Sequence, residues 1–133
     1  MNTMLERLKT VTPAVLSAWN EDGSFDEVSY RALVRRCLDA GMDTLFILGY
    51  TGEVKYINRE DRRKITAATR DEAPDALIVA GCVGACIDEI LVHIQDAKEA
   101  GADMALVTPT EFFSLRDYEL EGFFQDLNAG TAL

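Results

Sequence analysis

The sequence predicts an α/β fold of four βα units in a single domain over residues 1–133. Three observations carry this. Four short runs are almost continuously apolar: Ala14-Val15-Leu16-Ser17-Ala18-Trp19, Thr44-Leu45-Phe46-Ile47-Leu48, Ala76-Leu77-Ile78-Val79-Ala80 and Met104-Ala105-Leu106-Val107-Thr108. Continuity rather than alternation marks strands of a parallel sheet covered on both faces. The segments between them carry apolar residues at helical spacing. A junction also recurs: Leu38-Asp39-Ala40-Gly41-Met42-Asp43 and Lys98-Glu99-Ala100-Gly101-Ala102-Asp103 each precede a strand, and Leu127-Asn128-Ala129-Gly130 begins the pattern again. The units repeat at about thirty residues, the length of a βα unit.

In chain order, residues 1–12 read as a polar lead-in. The first strand is 14–19, preceded by Pro13 and followed by the turn Asn20-Glu21-Asp22-Gly23. Asp26 or Ser24 caps a first helix whose stripe is Val28, Ala32, Leu33, Cys37 and Leu38, ended by Gly41 at C′. The second strand, 44–48, runs into Gly49-Tyr50-Thr51-Gly52-Glu53. Asn58 caps a helix over 59–72 with Ile65 and Ala68 inward, stopped by Pro74. The third strand, 76–80, ends at Gly81, and Cys82-Val83-Gly84-Ala85 is a small-residue loop. The next helix covers 87–100 with Ile90, Leu91, Ile94 and Ala97 as its stripe, capped by Gly101. The fourth strand, 104–108, is broken by Pro109, and Thr110-Glu111-Phe112-Phe113 is a loop. Ser114 caps a last helix over 115–129 with Tyr118, Leu120, Phe123, Phe124 and Leu127 as its apolar positions.

Composition narrows the function. With 48% hydrophobic and 27% charged residues, the chain has the make-up of a globular domain with a core. A net charge of −10 argues against nucleic acid or an anionic membrane as partner. No apolar run approaches a membrane span, and Met1-Asn2-Thr3-Met4-Leu5-Glu6-Arg7 carries no signal pattern. The odd count of cysteines, Cys37, Cys82 and Cys86, fits reduced thiols in a cytoplasmic chain. They read as small buried hydrophobes rather than as zinc ligands with His93, so neither a metal nor a cofactor is expected.

The stretch that concentrates chemistry is Gly49-Tyr50-Thr51-Gly52-Glu53. A strand that ends in Gly-x-Thr-Gly-Glu presents backbone N–H groups and a hydroxyl at its C-terminal end, where parallel α/β folds bind ligands. Gly49 and Gly52 allow the tight turn.

Ala14-Val15-Leu16-Ser17-Ala18-Trp19-Asn20-Glu21-Asp22-Gly23 with Phe25-Asp26 resembles the opening of the dihydrodipicolinate synthase / N-acetylneuraminate lyase family. The Ala-Gly-x-Asp junctions, the Gly-x-Thr-Gly-Glu loop, Ile78-Val79-Ala80-Gly81 and Val107-Thr108-Pro109 resemble it too, in order and at matching spacing over about residues 12–130. The resemblance implies class I aldolases and lyases on a TIM (β/α)8 barrel that form a Schiff base between a lysine and pyruvate or another 2-oxo acid. It makes this chain the N-terminal (βα)4 half of such a barrel. It implies that Thr51 binds the substrate carboxylate through its hydroxyl and N–H, with Tyr50 and Gly49 beside it, and that Gly52 and Glu53 hold the loop, Glu53 by hydrogen bonds.

Departures from the pattern matter. The position before Thr51 is commonly a small hydroxyl residue that joins a proton relay. Here it is Tyr50, whose phenol either substitutes in the relay or fills the pocket. Thr110-Glu111 separates Pro109 from Phe112-Phe113, so no relay tyrosine is visible there. The family's Schiff-base lysine lies on a sixth strand and a helper tyrosine on a fifth. Lys9, Lys55, Lys64 and Lys98 all read as surface lysines, so no catalytic residue is assigned within these four units.

Half a barrel leaves open strand edges and an uncovered inner face, which favour association. The expected partners are a small 2-oxo acid, and a second copy or a complementary half-barrel. The alternative to a lyase half is a non-catalytic half-barrel binding or scaffold protein that self-associates. A flavodoxin-like module with Gly81-Cys82-Val83-Gly84 as phosphate loop is a third reading, but it lacks a P-loop lysine and Gly-x-Gly-x-x-Gly.

Overall fold

Among the described residues three parallel strands make a sheet: β1 (Thr44–Ile47), β2 (Leu77–Gly81) and β3 (Met104–Leu106), in the order β1-β2-β3. The computed structural model describes residues 4–109 and 114–131. Helices α2 (Glu27–Asp39), α3 (Arg59–Glu72) and α4 (Ile87–Glu99) alternate with the strands, after a short α1 (Met4–Arg7) and before α5 (Asp117–Gly130). The register sets Phe46 beside Val79 and Val79 beside Met104. Leu45, Ile47, Ile78 and Ala80 alternate with these on the other face and are fully buried in the core with Val34, Ile65 and Ile90 of the helices. The opposite face is only partly covered: Phe46 and Met104 are half-buried and Leu106 is 40% exposed.

The first expected strand is reduced to a bridge. Ala14 pairs with Phe46, through Val15 N–H to Phe46 C=O (2.8 Å) and Phe46 N–H to Pro13 C=O (3.0 Å). The chain then leaves the sheet: Ser17 Oγ donates to Gly52 C=O (2.7 Å), Asp26 N–H donates to Ala18 C=O (2.9 Å), and Trp19 bridges Phe25. Leu16 is left 51% exposed. The fourth expected strand is likewise shorter, ending at Leu106 rather than Thr108.

Helix ends follow local chemistry. Asp26 caps α2 by accepting from Ser29 N–H, which selects it over Ser24, and Asn58 caps α3 by accepting from Asp61 N–H. After α2, Gly41 (φ 80°) donates to Leu38 C=O and Met42 to Cys37 C=O. After α4, Gly101 (φ 105°) and Ala102 repeat the pattern onto Lys98 and Ala97. Both are Schellman closures, and the left-handed residue at C′ is glycine for want of a Cβ. The third copy of the junction differs, because α5 runs through Gly130 and ends at Thr131.

Two expected faces are corrected. Val28 is 83% exposed, while Tyr30 and Val34 are the buried residues of α2. Tyr30 turns inward because its hydroxyl reaches Thr69 Oγ1 of α3 at 2.7 Å. Burial pushes that phenol up to about 12. On α5, Tyr118 and Phe124 are exposed and Leu127 is the buried residue. Its cap is Arg116, whose N–H is taken by Glu119, rather than Ser114. The loop Thr110-Glu111-Phe112-Phe113 lies outside the described residues. No helix among the described residues is long and apolar enough to cross a membrane.

Arginines close the ends of the sheet. Arg7 donates to Asp43 C=O (2.8 Å) and Asp75 C=O (3.0 Å), so the expected lead-in is tied down. Arg70 reaches from α3 to the C=O groups of Gly101, Ala73, Pro74 and Ala76 and to Asp103 Oδ2 (2.6 Å). That same Oδ2 accepts Ile78 N–H at 2.8 Å, which pins the start of β2 to the β3 side.

Between α3 and α4, buried Asp96 accepts from Arg59 and Arg63, and the Arg59 guanidinium holds its carboxyl below the usual range. One turn before it, His93 is buried and its Nε2 has no hydrogen-bond partner among the described residues. Burial, with the positive charge of Arg62, lowers its pKa below the ordinary 6.5, while Glu89 and Asp96 oppose this. A depressed folded-state pKa means that the unfolded chain binds the proton more readily. His93 therefore contributes stability in full above pH 6.5, and loses it as pH falls through the folded value. His93→Gln is expected to flatten the fall of urea-unfolding stability below that pH; a profile parallel to the parent's would remove His93 as the source.

Candidate functional site

The C-terminal ends of the three strands bring together the loops that follow them. After β1 the chain turns left-handed at Leu48 (φ 55°), and again at Glu53 (φ 62°) before a 3-10 turn, Val54–Tyr56. Between these residues the loop closes on itself: Glu53 N–H donates to Tyr50 C=O (2.9 Å) and Val54 N–H to Gly49 C=O (3.3 Å). Ser17 holds it from the side through Gly52 C=O. Arg62 holds it from below, giving Nη2 to Val54 C=O (2.9 Å) and Nε to Ile57 C=O (2.9 Å). Its Nη1 goes to Val83 C=O (3.1 Å), which fastens the β1 loop to the β2 loop. Half-burial lowers the Arg62 pKa from its ordinary value, with Glu89 opposing.

Thr51 stands at the outer tip of this loop, exposed. Its N–H and hydroxyl, and the N–H of Gly52, make no hydrogen bond among the described residues. Three donors thus lie at the end of a parallel strand with no acceptor among the described residues, a set that suits a carboxylate. Gly49 is buried against the Phe46 ring, and Gly52 is buried below the tip.

Tyr50 reaches toward the end of the β3 segment. Its hydroxyl lies 3.1 Å from Thr108 Oγ1, and Lys55 Nζ sits 5.1 Å from the centre of its ring. These residues line an open crevice of about 260 Å³ with Arg62, Gly84, Glu89 and Pro109. Thr51 is not part of its wall. Glu89 accepts Ala85 N–H at 2.7 Å, which holds its carboxyl below the usual range.

Sequence reasoning placed the Gly49–Glu53 stretch correctly at a strand end but did not find Arg62, Glu89 or Thr108. One signal was available for Arg62. A cation in the first turn of a helix opposes the helix dipole, so it needs partners elsewhere, and here they are loop carbonyls. The cysteines also divide: Cys82 is buried, with its thiol pushed up to about 12 by burial, whereas Cys86 is exposed, unlike the small buried residue expected.

Glu53 serves the loop differently from the expectation. Its side chain is exposed and makes no hydrogen bond among the described residues; its contribution is the left-handed backbone turn. Left-handed geometry costs a non-glycine residue about 1–2 kcal/mol, and added glycine freedom in the unfolded chain costs about 0.4–1 kcal/mol. Glu53→Gly is therefore expected to raise stability by about 0.5 kcal/mol in urea unfolding. A loss of more than about 1 kcal/mol would return the loop-fixing role to the carboxylate.

Comparison with known proteins bears on this geometry. The model of the dihydrodipicolinate synthetase family matches residues 7–133. A 4-hydroxy-tetrahydrodipicolinate synthase of Chlorobaculum parvum is 32% identical over 115 residues, 86% of this chain and 38% of that protein. An N-acetylneuraminate lyase of Actinobacillus pleuropneumoniae serotype 5b is 32% identical over 130 residues, 96% of this chain and 44% of that one. Among solved structures, the E. coli K12 prophage protein YagE, of the dihydrodipicolinic acid synthase family and in complex with pyruvate, superposes with a TM-score of 0.83 at 27% identity. That match covers 92% of this chain and 41% of YagE. The chain thus spans less than half the length of each of these proteins.

Proposed function

Because the chain belongs to the dihydrodipicolinate synthetase family, we propose that it is the N-terminal (βα)4 part of a Schiff-base-forming lyase or aldolase that acts on pyruvate or another 2-oxo acid, and that its β1 loop docks the substrate carboxylate. The observation that carries this reading is the donor set of Thr51 N–H, Thr51 hydroxyl and Gly52 N–H at a strand end, unpaired among the described residues. The bound pyruvate of YagE supports the ligand class.

The chemistry divides between this chain and the rest of the barrel. Carboxylate docking would orient the 2-oxo group over the sheet, and Tyr50 with Thr108 would offer hydroxyls near the carbonyl end. The imine-forming lysine would come from outside these four units. Lys9 pairs with Glu6 and Lys64 with Glu60, both on the surface, and Lys55 packs on the Tyr50 ring. A Schiff-base lysine needs burial or a cationic neighbour to lower its pKa, and exposed Lys55 packs instead on a ring face that stabilises its charge.

A second reading is favoured by the sheet's inner face, where Leu106 is exposed and Phe46 and Met104 are only half-covered. It is a non-catalytic half-barrel that binds the acid and self-associates through that face. Borohydride reduction with pyruvate separates the two when the complementary half of a relative is added: the lyase reading expects an adduct only in the mixture, and the scaffold reading expects none. Thr51→Ala is expected to weaken pyruvate binding by roughly tenfold, the worth of hydrogen bonds to a charged group. Unchanged affinity by calorimetry would remove Thr51 from the site.

A further inference from the structure

We infer that Gly81 is a positioning residue for the Thr51 loop: its missing side chain makes room for the Leu48 carbonyl and so holds the left-handed turn that presents the Thr51 donors. This rests on the reading of Thr51 as the carboxylate site.

Leu48 is an unusual residue to find at φ 55°. A branched apolar side chain has no local hydrogen bond to offset left-handed geometry, unlike asparagine or aspartate. Such a conformation persists only where the surroundings over-determine it. Two constraints act here. The Leu48 side chain is buried in the core and cannot swing out. Its backbone carbonyl is turned onto the end of β2, where it meets Gly81.

The fit there is tight. A Cβ built on Gly81 would lie 1.9 Å from Leu48 O, 2.8 Å from Leu48 C and 3.4 Å from Gly49 N. The obstacle is backbone, so no rotamer change relieves it. Any side chain at 81 must push the Leu48 peptide, and with it the start of the loop that ends in Thr51. The register places this contact one step past the last ladder pair of β1 and β2, Ile47 with Ala80. Gly81 thus lets β2 crowd the point where the chain leaves the sheet. Gly122, within α5, is different: a Cβ built there meets nothing within 4 Å.

The test compares Gly81→Ala, Gly122→Ala and Thr51→Ala in the whole chain, with folding checked by amide spectra and affinity for pyruvate read by calorimetry. The expected result is a folded Gly81→Ala protein whose pyruvate affinity falls roughly tenfold or more. Its amide shifts should centre on residues 48–53, while Gly122→Ala binds like the parent. If folded Gly81→Ala binds as the parent does while Thr51→Ala does not, the positioning role is overturned and the Thr51 site stands. If Thr51→Ala binds as the parent does, the site reading itself is overturned. Should Gly81→Ala not fold, cross-correlated relaxation on the parent chain decides by reading the sign of the Leu48 φ. A positive sign both free and with pyruvate upholds the held turn, and a negative sign in either state overturns it.

Discussion

Replacing Arg70 with methionine is expected to cost about 3 kcal/mol of stability. Arg70 is three-quarters buried on a helix flank and serves four backbone carbonyls and one carboxylate. Those carbonyls belong to the turn between α3 and β2 and to the glycine that ends α4, so one guanidinium joins two successive βα units. Methionine fills similar volume but takes the donor from the Gly101, Pro74 and Ala76 carbonyls; Ala73 C=O keeps Ala76 N–H, and Asp103 Oδ2 keeps Ile78 N–H. The cost then comes from stranded acceptors rather than from a lost surface ion pair, which would be worth little. Arg70→Lys should recover less than half of the loss, because an ammonium cannot span the five acceptors. Urea unfolding of the three proteins checks this, and a loss below about 1 kcal/mol for Arg70→Met would mean that water replaces the network.

Ile78→Ala is expected to be comparably damaging, at about 2–5 kcal/mol. Ile78 is fully buried in the central strand, flanked by β1 and β3 and covered by helices. No neighbour can collapse into the space without dragging a strand. Val28→Ala supplies the contrast: although an isolated reading of the helix puts Val28 on the apolar stripe, its 83% exposure limits the expected change to about 0.5 kcal/mol. Equal losses for the two variants would contradict the packing described for α2.

The contrast between these positions shows what could be read from the residues alone. Both helix starts set by Asp26 and Asn58, and both glycine closures at Gly41 and Gly101, were legible because each depends on chemistry within a few residues. The inward face of α2 was not. Tyr30 is buried because Thr69 lies thirty-nine positions away to meet its hydroxyl, a contact that spacing cannot reveal. The arginines were hidden for the same reason: Arg62 and Arg70 look like ordinary surface charges of α3, and only the folded loops supply their carbonyl partners. The first strand failed at a third level. Its composition suits a strand, but Ser17 and Ala18 find partners outside the sheet, and a single bridge at Ala14 remains. At the site, the position of the 49–53 loop was legible from Gly-x-Thr-Gly-Glu after an apolar run. The reach of Tyr50 toward Thr108 and a crevice lined by Lys55 and Arg62 depends on backbone turns at Leu48 and Glu53 that residue type does not announce.

The most direct test of carboxylate docking is a pyruvate titration followed through the backbone amides of the whole chain. Docking at the β1 loop is expected to move the Thr51 and Gly52 amides most, downfield and saturably, with Ser17 and Val54 following as the loop tightens. Shifts centred instead on Lys55, Arg62 and Glu89, or no saturable shift at residues 49–53, would contradict it.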